Sequence, residues 1–197
     1  MKFSKFVAFL VGFVAVVSTS CKDDDDEPFY VPTEMDLNVD DFHVRYGFNT
    51  FSAYHSDMTD PTYIFEYNKI INVTKFKADT TCFIAYYSSK NEVTEEQLEQ
   101  QIVEEQMILE ADKEFGGQGV TTVLSDTVLG EESIKATSIM FYFDENTKEE
   151  YKFIFYYLYN PYNKRAYRIR LSGPTSSTAF WTEADKVLST FRWQESR

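Results

Sequence analysis

Apolar residues recur along this chain with two different periods, and the change of period marks its elements. Within Ile134 to Asp144, Ile139, Phe141 and Phe143 alternate with Met140 and Tyr142, and a second, densely aromatic run covers Tyr151 to Tyr159. The polar Asp144-Glu145-Asn146-Thr147-Lys148 between them has turn chemistry, so the pair predicts a β-hairpin. Asn160-Pro161-Tyr162-Asn163 supplies the next turn. Ala166 to Ser172 then reads as a strand, with Arg168 and Arg170 facing one way and Tyr167, Ile169 and Leu171 the other. Upstream, Asp41 to Phe51 alternates through Phe42, Val44, Tyr46 and Phe48, with Gly47 marking a bulge or turn. Tyr63 to Val73, Cys82 to Tyr87 and Gly119 to Leu129 also predict strands. Pro28 and Pro32 make the stretch to Asn38 a loosely held first element.

From Thr94 to Phe115 the period changes to that of a helix. Leu98, Ile102, Leu109 and Phe115, supplemented by Val103, Met107, Ile108 and Ala111, form a broad apolar stripe, and glutamates 95, 96, 99, 104, 105 and 110 are expected mainly on the wet side. Thr94 and Gln97 have capping-box spacing, Val93 and Leu98 that of a hydrophobic staple, and Gly116-Gly117 is expected to stop the helix. A short terminal helix is predicted over Glu183 to Phe191, with Ala184, Val187, Leu188 and Phe191 on its apolar side and Trp193 beyond. This order predicts an α+β fold: an antiparallel or mixed sheet with one long helix and a short C-terminal helix, the helices on one face.

The first residues follow a different logic. Lys2 and Lys5 precede an apolar run from Val7 to Val17, far short of the roughly 20 residues a membrane span needs, and Ser18-Thr19-Ser20 supplies the small residues before a cleavage site. Residues 1–20 therefore read as a signal peptide, 21–32 as an acidic tether and 33–197 as one α+β domain. The segment resembles the bacterial lipoprotein signal, which implies Cys21 as the acylated residue and a membrane held through its lipid. The alternative is an ordinary cleaved signal beside a cysteine. Cys21-Lys22 followed by Asp23 to Asp26 and Glu27 is similar to the junction of Bacteroidota lipoproteins, where it serves as an export signal. That resemblance implies an outer-membrane protein exposed at the cell surface. Taken by itself, the acidic run is a solvated tether.

Charge narrows the partners. The chain has 19 Lys and Arg against 32 Asp and Glu, a formal charge of −13. Cleavage would take this to −15, since Lys2 and Lys5 leave and no acid does. No nucleic-acid partner is expected for so acidic a chain. Cys82, in the apolar Thr80-Thr81-Cys82-Phe83-Ile84-Ala85-Tyr86, reads as a buried core thiol rather than a nucleophile. The 18 Phe and 14 Tyr build an aromatic core or leave rings on a binding surface.

Catalytic spacing is scarce. His43 and His55 stand apart from acids and thiols at metal-ligand distances, and neither a zinc pair nor a nucleophile elbow occurs, so no catalytic residue, metal or cofactor is nominated. Asp41, His43 and Arg45 are expected to share the exposed face of a strand. Tyr162, Lys164, Arg165, Tyr167, Arg168 and Arg170 concentrate cations beside aromatic rings and form the candidate surface for a polysaccharide carboxylate or an envelope protein.

The run from Tyr151 through Tyr167-Arg168-Ile169 and Glu183 to Val187-Leu188-Ser189-Thr190-Phe191-Arg192-Trp193 resembles the C-terminal half of PsbP-like domains. Membership would imply an α/β/α sandwich acting as an accessory or assembly protein rather than an enzyme. The expected function is a non-catalytic binding or assembly accessory of the envelope; the alternatives are a carbohydrate-active hydrolase and a purely structural envelope protein.

Overall fold

A computed structural model describes residues 34–39, 42–47, 49–54, 68–111, 117–124 and 128–194. In chain order these form β1 (Glu34–Val39), β2 (Phe42–Gly47), β3 (Phe51–Tyr54), β4 (Asn68–Phe76), β5 (Phe83–Ser89), α1 (Glu95–Ala111), β6 (Gly117–Leu124), β7 (Val128–Leu129), β8 (Glu132–Asp144), β9 (Glu149–Asn160), β10 (Arg165–Pro174), α2 (Thr178–Leu188) and β11 (Arg192–Trp193). The large sheet runs β3-β4-β5-β10-β9-β8-β6, with β7 paired to β8, and a small sheet runs β1-β2-β11. Every described pairing is antiparallel. The chain is an α+β protein with one long helix and a short C-terminal one.

The strand alternation along β9 and β10 separates two cores. Ile154, Leu158, Tyr167, Ile169 and Leu171 point to one face, where Phe180, Ala184, Val187 and Leu188 of α2 and Phe42, Val44 and Trp193 of the small sheet cover them. Phe155, Tyr157 and Ala166 point to the other face, under Leu98 and Ile102 of α1. The two helices thus lie on opposite faces of the large sheet, not on one. Both faces of β9 carry apolar side chains, and each needs its own cover.

The hairpin β8–β9 forms where the alternation places it, with Asp144↔Glu149 closing the turn. Asp144 Oδ1 accepts from Asn146 N at 2.8 Å, and Lys148 adopts a left-handed φ of 60°. The expected strand from Asp41 to Phe51 divides into β2 and β3, which belong to different sheets; at the break Thr50 N donates to Gly47 O at 3.0 Å. Gly119 to Leu129 divides likewise into β6 and β7. Of Tyr63 to Val73, only the end from Asn68 is described, within β4.

The capping box at the start of α1 is formed reciprocally. Gln97 N donates to Thr94 Oγ1 at 3.2 Å, and Thr94 N donates to Gln97 Oε1 at 2.8 Å. Val93 packs with Leu98 in the same cluster. Helix α1 ends at Ala111, so Phe115 lies outside the described residues, and Gly117 opens β6. Helix α2 begins at Thr178, ahead of the expected Glu183, and its first turn packs the Phe180 ring against those of Phe51 and Phe76. Its C-terminal turn is tied to β2 by Arg45 N, which donates to Thr190 Oγ1 at 2.7 Å.

Two glycines let this layer close. A Cβ on Gly173 would meet Cys82 Sγ at 2.9 Å and the Phe180 ring at 3.2 Å. Gly130 has φ +60°, and a Cβ there would stand 2.2 Å from Phe191 O.

Candidate functional site

The tight turn between β9 and β10 carries the first part of the expected cationic surface. Asn160 Oδ1 accepts from Tyr162 N at 2.9 Å, Asn163 Oδ1 accepts from Arg165 N at 3.1 Å, and Lys164 adopts φ 53°. These bonds leave Tyr162 and Lys164 exposed and Arg165 half-buried. The Lys164 carbonyl also accepts from Val93 N at 2.7 Å, which links the turn to the approach to α1.

Beyond the turn the expected surface comes apart. Tyr167 is buried in the α2-side core, its ring 4.9 Å from that of Trp193. Arg168 and Arg170 lie on the opposite face, Arg168 buried and Arg170 half-buried. The six residues therefore occupy three places and do not form one patch. The cause is the period of two in β10: neighbouring residues that are close in sequence are separated by the thickness of the sheet.

Arg168 belongs instead to a buried polar cluster beneath α1. Its Nη1 donates to Glu105 Oε1 at 2.6 Å, and its guanidinium lies 4.6 Å over Tyr87 and 5.6 Å over Phe155. Arg170 extends the row, over Phe83 at 5.3 Å and Phe153 at 5.1 Å. Only 1% of Glu105 is exposed. Burial pushes its carboxyl above the usual range, opposed by the attraction of Arg168. Burial and the neighbouring Glu105 push the Tyr157 phenol up as well. Glu105 was expected among the wet glutamates. It stands three residues after Ile102 and seven after Leu98, on the inward stripe, and that spacing was the available signal. Through this contact α1 meets β10 of the sheet.

The remaining reactive groups are internal too. Cys82 is buried, as expected, with Sγ 3.5 Å from both Asp79 Oδ2 and Ser177 Oγ, and burial raises its thiol to about 11. Such a thiol stays protonated and weakly nucleophilic at neutral pH. His43 is buried on β2, its Nε2 3.4 Å from Asp36 Oδ1, which also accepts from Arg45 Nε at 3.0 Å. The acid of this face is thus Asp36 from β1. Burial holds His43 below its ordinary value and favours the neutral ring. Asp41, His55 and Cys21 lie outside the described residues. Among the described residues, no group of three or more His, Cys, Asp or Glu is placed to hold a metal, and no helix is long and apolar enough to cross a membrane.

The outward face of α1 is where the helix departs most from a simple amphipathic reading. Val103, Met107 and Ile108 were expected on the core stripe, yet they are 52%, 64% and 43% exposed. Leu98, Ile102 and Glu105 take the inward positions, and the helical period turns 107 directly away from them and 103 and 108 off to either side. Glu99 and Glu104 are exposed beside this apolar group, and Gln100 Nε2 donates to Glu104 Oε1 at 2.8 Å. Sequence reasoning missed this face because a stripe wide enough to include 103, 107 and 108 exceeds what one sheet can cover.

No family model matches the chain, and no curated protein matches it in sequence. Among solved structures, one from Bacteroides thetaiotaomicron VPI-5482 is similar over 79% of this chain and 46% of its own, at 12% identity and a TM-score of 0.48. The chain thus spans just under half the length of that protein.

Proposed function

We propose that the chain is a lipid-anchored, non-catalytic binding or assembly accessory of the bacterial cell envelope, engaging a protein partner through the outer face of α1. The supporting observation is the pair Val103 and Met107, one turn apart and 52% and 64% exposed, on a helix whose inner face carries the buried Leu98, Ile102 and the Glu105–Arg168 pair. Leaving apolar area in water forgoes burial energy, at about 25 cal/mol per Å², which a partner laid along this side of the helix would recover. The signal-like leader and Cys21 support attachment to a membrane, and the acidic composition of the stretch after Cys21 supports its role as a tether.

The test is purification of the full-length chain through a C-terminal tag from detergent-solubilised envelopes after mild cross-linking. A reproducible envelope protein is expected with the wild-type chain, and membrane fractionation is expected to find Cys21→Ala released. Absence of any reproducible partner would overturn the accessory role, and a Cys21→Ala chain that stays with the membrane would overturn the anchor.

A further inference from the structure

Resting on that reading, we infer that the partner is received as an added strand: an extended polypeptide segment, apolar at alternate positions, that pairs with the edge of β6 beside the Val103 side of α1. The edge itself is the first ground. Among the described residues the two sheets end in four strands, and three of these are protected by shortness or charge: β3 has four residues, β11 has two, and β1 carries Glu34 and Asp36. The fourth, β6, is eight residues long, Gly117-Gln118-Gly119-Val120-Thr121-Thr122-Val123-Leu124, with neither a charge nor a proline. Among the described residues it has a neighbouring strand on its β8 side only. Its register shift against β8 lies at its start, so Val120 to Leu124 pair continuously, and the run Val120-Thr121-Thr122-Val123 is β-branched throughout. The outward backbone groups of such a strand are a template for another strand.

The second ground is the direction of α1. The helix packs across β6, β8 and β9, and its period sets Glu105 about 60° to one side of Ile102 and Val103 about 100° to the other. Glu105 pairs with Arg168 of β10. In the order β10-β9-β8-β6 the opposite side of the helix therefore faces β6, and Glu95, which the period puts on that side, accepts from Lys135 Nζ of β8 at 2.8 Å. The exposed Val103 is thus turned toward the β6 edge. A strand added there would lie about 4.8 Å beyond β6, and its alternate side chains on the helix side would cover Val103.

The same geometry disfavours a second copy of the chain. Glu96 and Glu99 are exposed on the Val103 side of α1. An antiparallel pairing of β6 with its own copy about a two-fold axis would keep both α1 helices on one face, with these acids toward each other. An extended segment of another protein meets no such obstacle.

The experiment uses the full-length chain in its own cells, with the photo-cross-linker p-benzoylphenylalanine placed at position 103 and the cross-linked peptide identified by mass spectrometry. The expected adduct is a segment of a different protein with apolar residues at every second position. That peptide, synthesised and added to the purified wild-type chain, should slow amide exchange at alternate residues of Val120 to Leu124 by about tenfold or more. Thr121→Pro and Thr122→Pro supply a second test, since one of two neighbours on an edge strand directs its N–H at β8 and the other directs it outward. Whichever variant keeps the wild-type thermal midpoint is expected to lose the adduct about tenfold; if both lose stability, the exchange measurement decides alone. An adduct to a second copy, to lipid or to another segment of the same chain overturns the inference, as does the absence of any adduct or a bound peptide that leaves exchange in β6 unchanged. If the tagged chain still retains an envelope partner in those cases, the accessory role stands and only this mode of docking falls.

Discussion

Removing one member of the Glu105–Arg168 pair should reveal how α1 is fastened. Both side chains are almost fully buried, with Nη1 and Oε1 2.6 Å apart. Glu105→Leu would strand a guanidinium that stays protonated at any accessible pH. Stranding one charge of a buried pair costs about 3–5 kcal/mol, and the rings of Tyr87 and Phe155 that remain around Arg168 place the expected loss near the lower end, about 3 kcal/mol. For a domain of this size that lowers the thermal midpoint by about 6–12 °C. The double substitution Glu105→Leu with Arg168→Met leaves no charge behind and should return to within about 1 kcal/mol of wild type. Urea titration of the four proteins would yield the coupling energy, expected at about 2 kcal/mol or more. A coupling below about 1 kcal/mol would refute the assignment of the pair as the fastening of α1.

The two single variants should also differ with pH. In Arg168→Met the attraction that opposes burial at Glu105 is gone, so its folded-state pKa rises further above the unfolded one. Stability is then fully present below the unfolded value and lost as pH rises through the folded value. The cost of Arg168→Met should therefore grow from acid to neutral pH, while that of Glu105→Leu should not follow this course.

Three further predictions concern other parts of the fold. Gly130→Ala should cost about 3 kcal/mol, combining a left-handed φ with a Cβ driven against Phe191 O and the hydrogen bond that oxygen accepts from Glu131 N; a urea titration showing less than about 1 kcal/mol would contradict this. Thr94→Ala should lower stability by about 1 kcal/mol through loss of the capping box, and an unchanged midpoint would mean that the cap carries no weight. Cys82 should resist iodoacetamide at pH 8 in the native protein and react readily in denaturant, since its thiol is buried and raised to about 11; fast native alkylation would place it at the surface.

Much of the architecture was legible in the order of residues because it rests on local rules. The β8–β9 hairpin followed from alternation and turn chemistry, the start of α1 from Thr94 and Gln97, and the buried state of Cys82 from its apolar setting. These features depend on neighbours a few positions away. The division of Asp41 to Phe51 into strands of two sheets did not follow from alternation, which says that a residue lies in a strand and not which strand lies beside it.

The candidate site shows the same limit more sharply. Arg168 and Glu105 stand 63 positions apart, and the spacing that puts Glu105 on the inward stripe does not name its partner. Their burial depends on α1 being laid across the face of β9 and β10 to which Arg168 points, and long-range packing alone decides that. The sequence by itself determined that Tyr167 and Arg168 face opposite ways, since strand geometry requires it. Only the tertiary structure decided that both faces are covered, that a glutamate and not an apolar residue fills an inward position of α1, and that Val103, Met107 and Ile108 are left in water. A helix lying on one sheet buries only the residues whose direction meets that sheet, however many apolar residues its sequence contains.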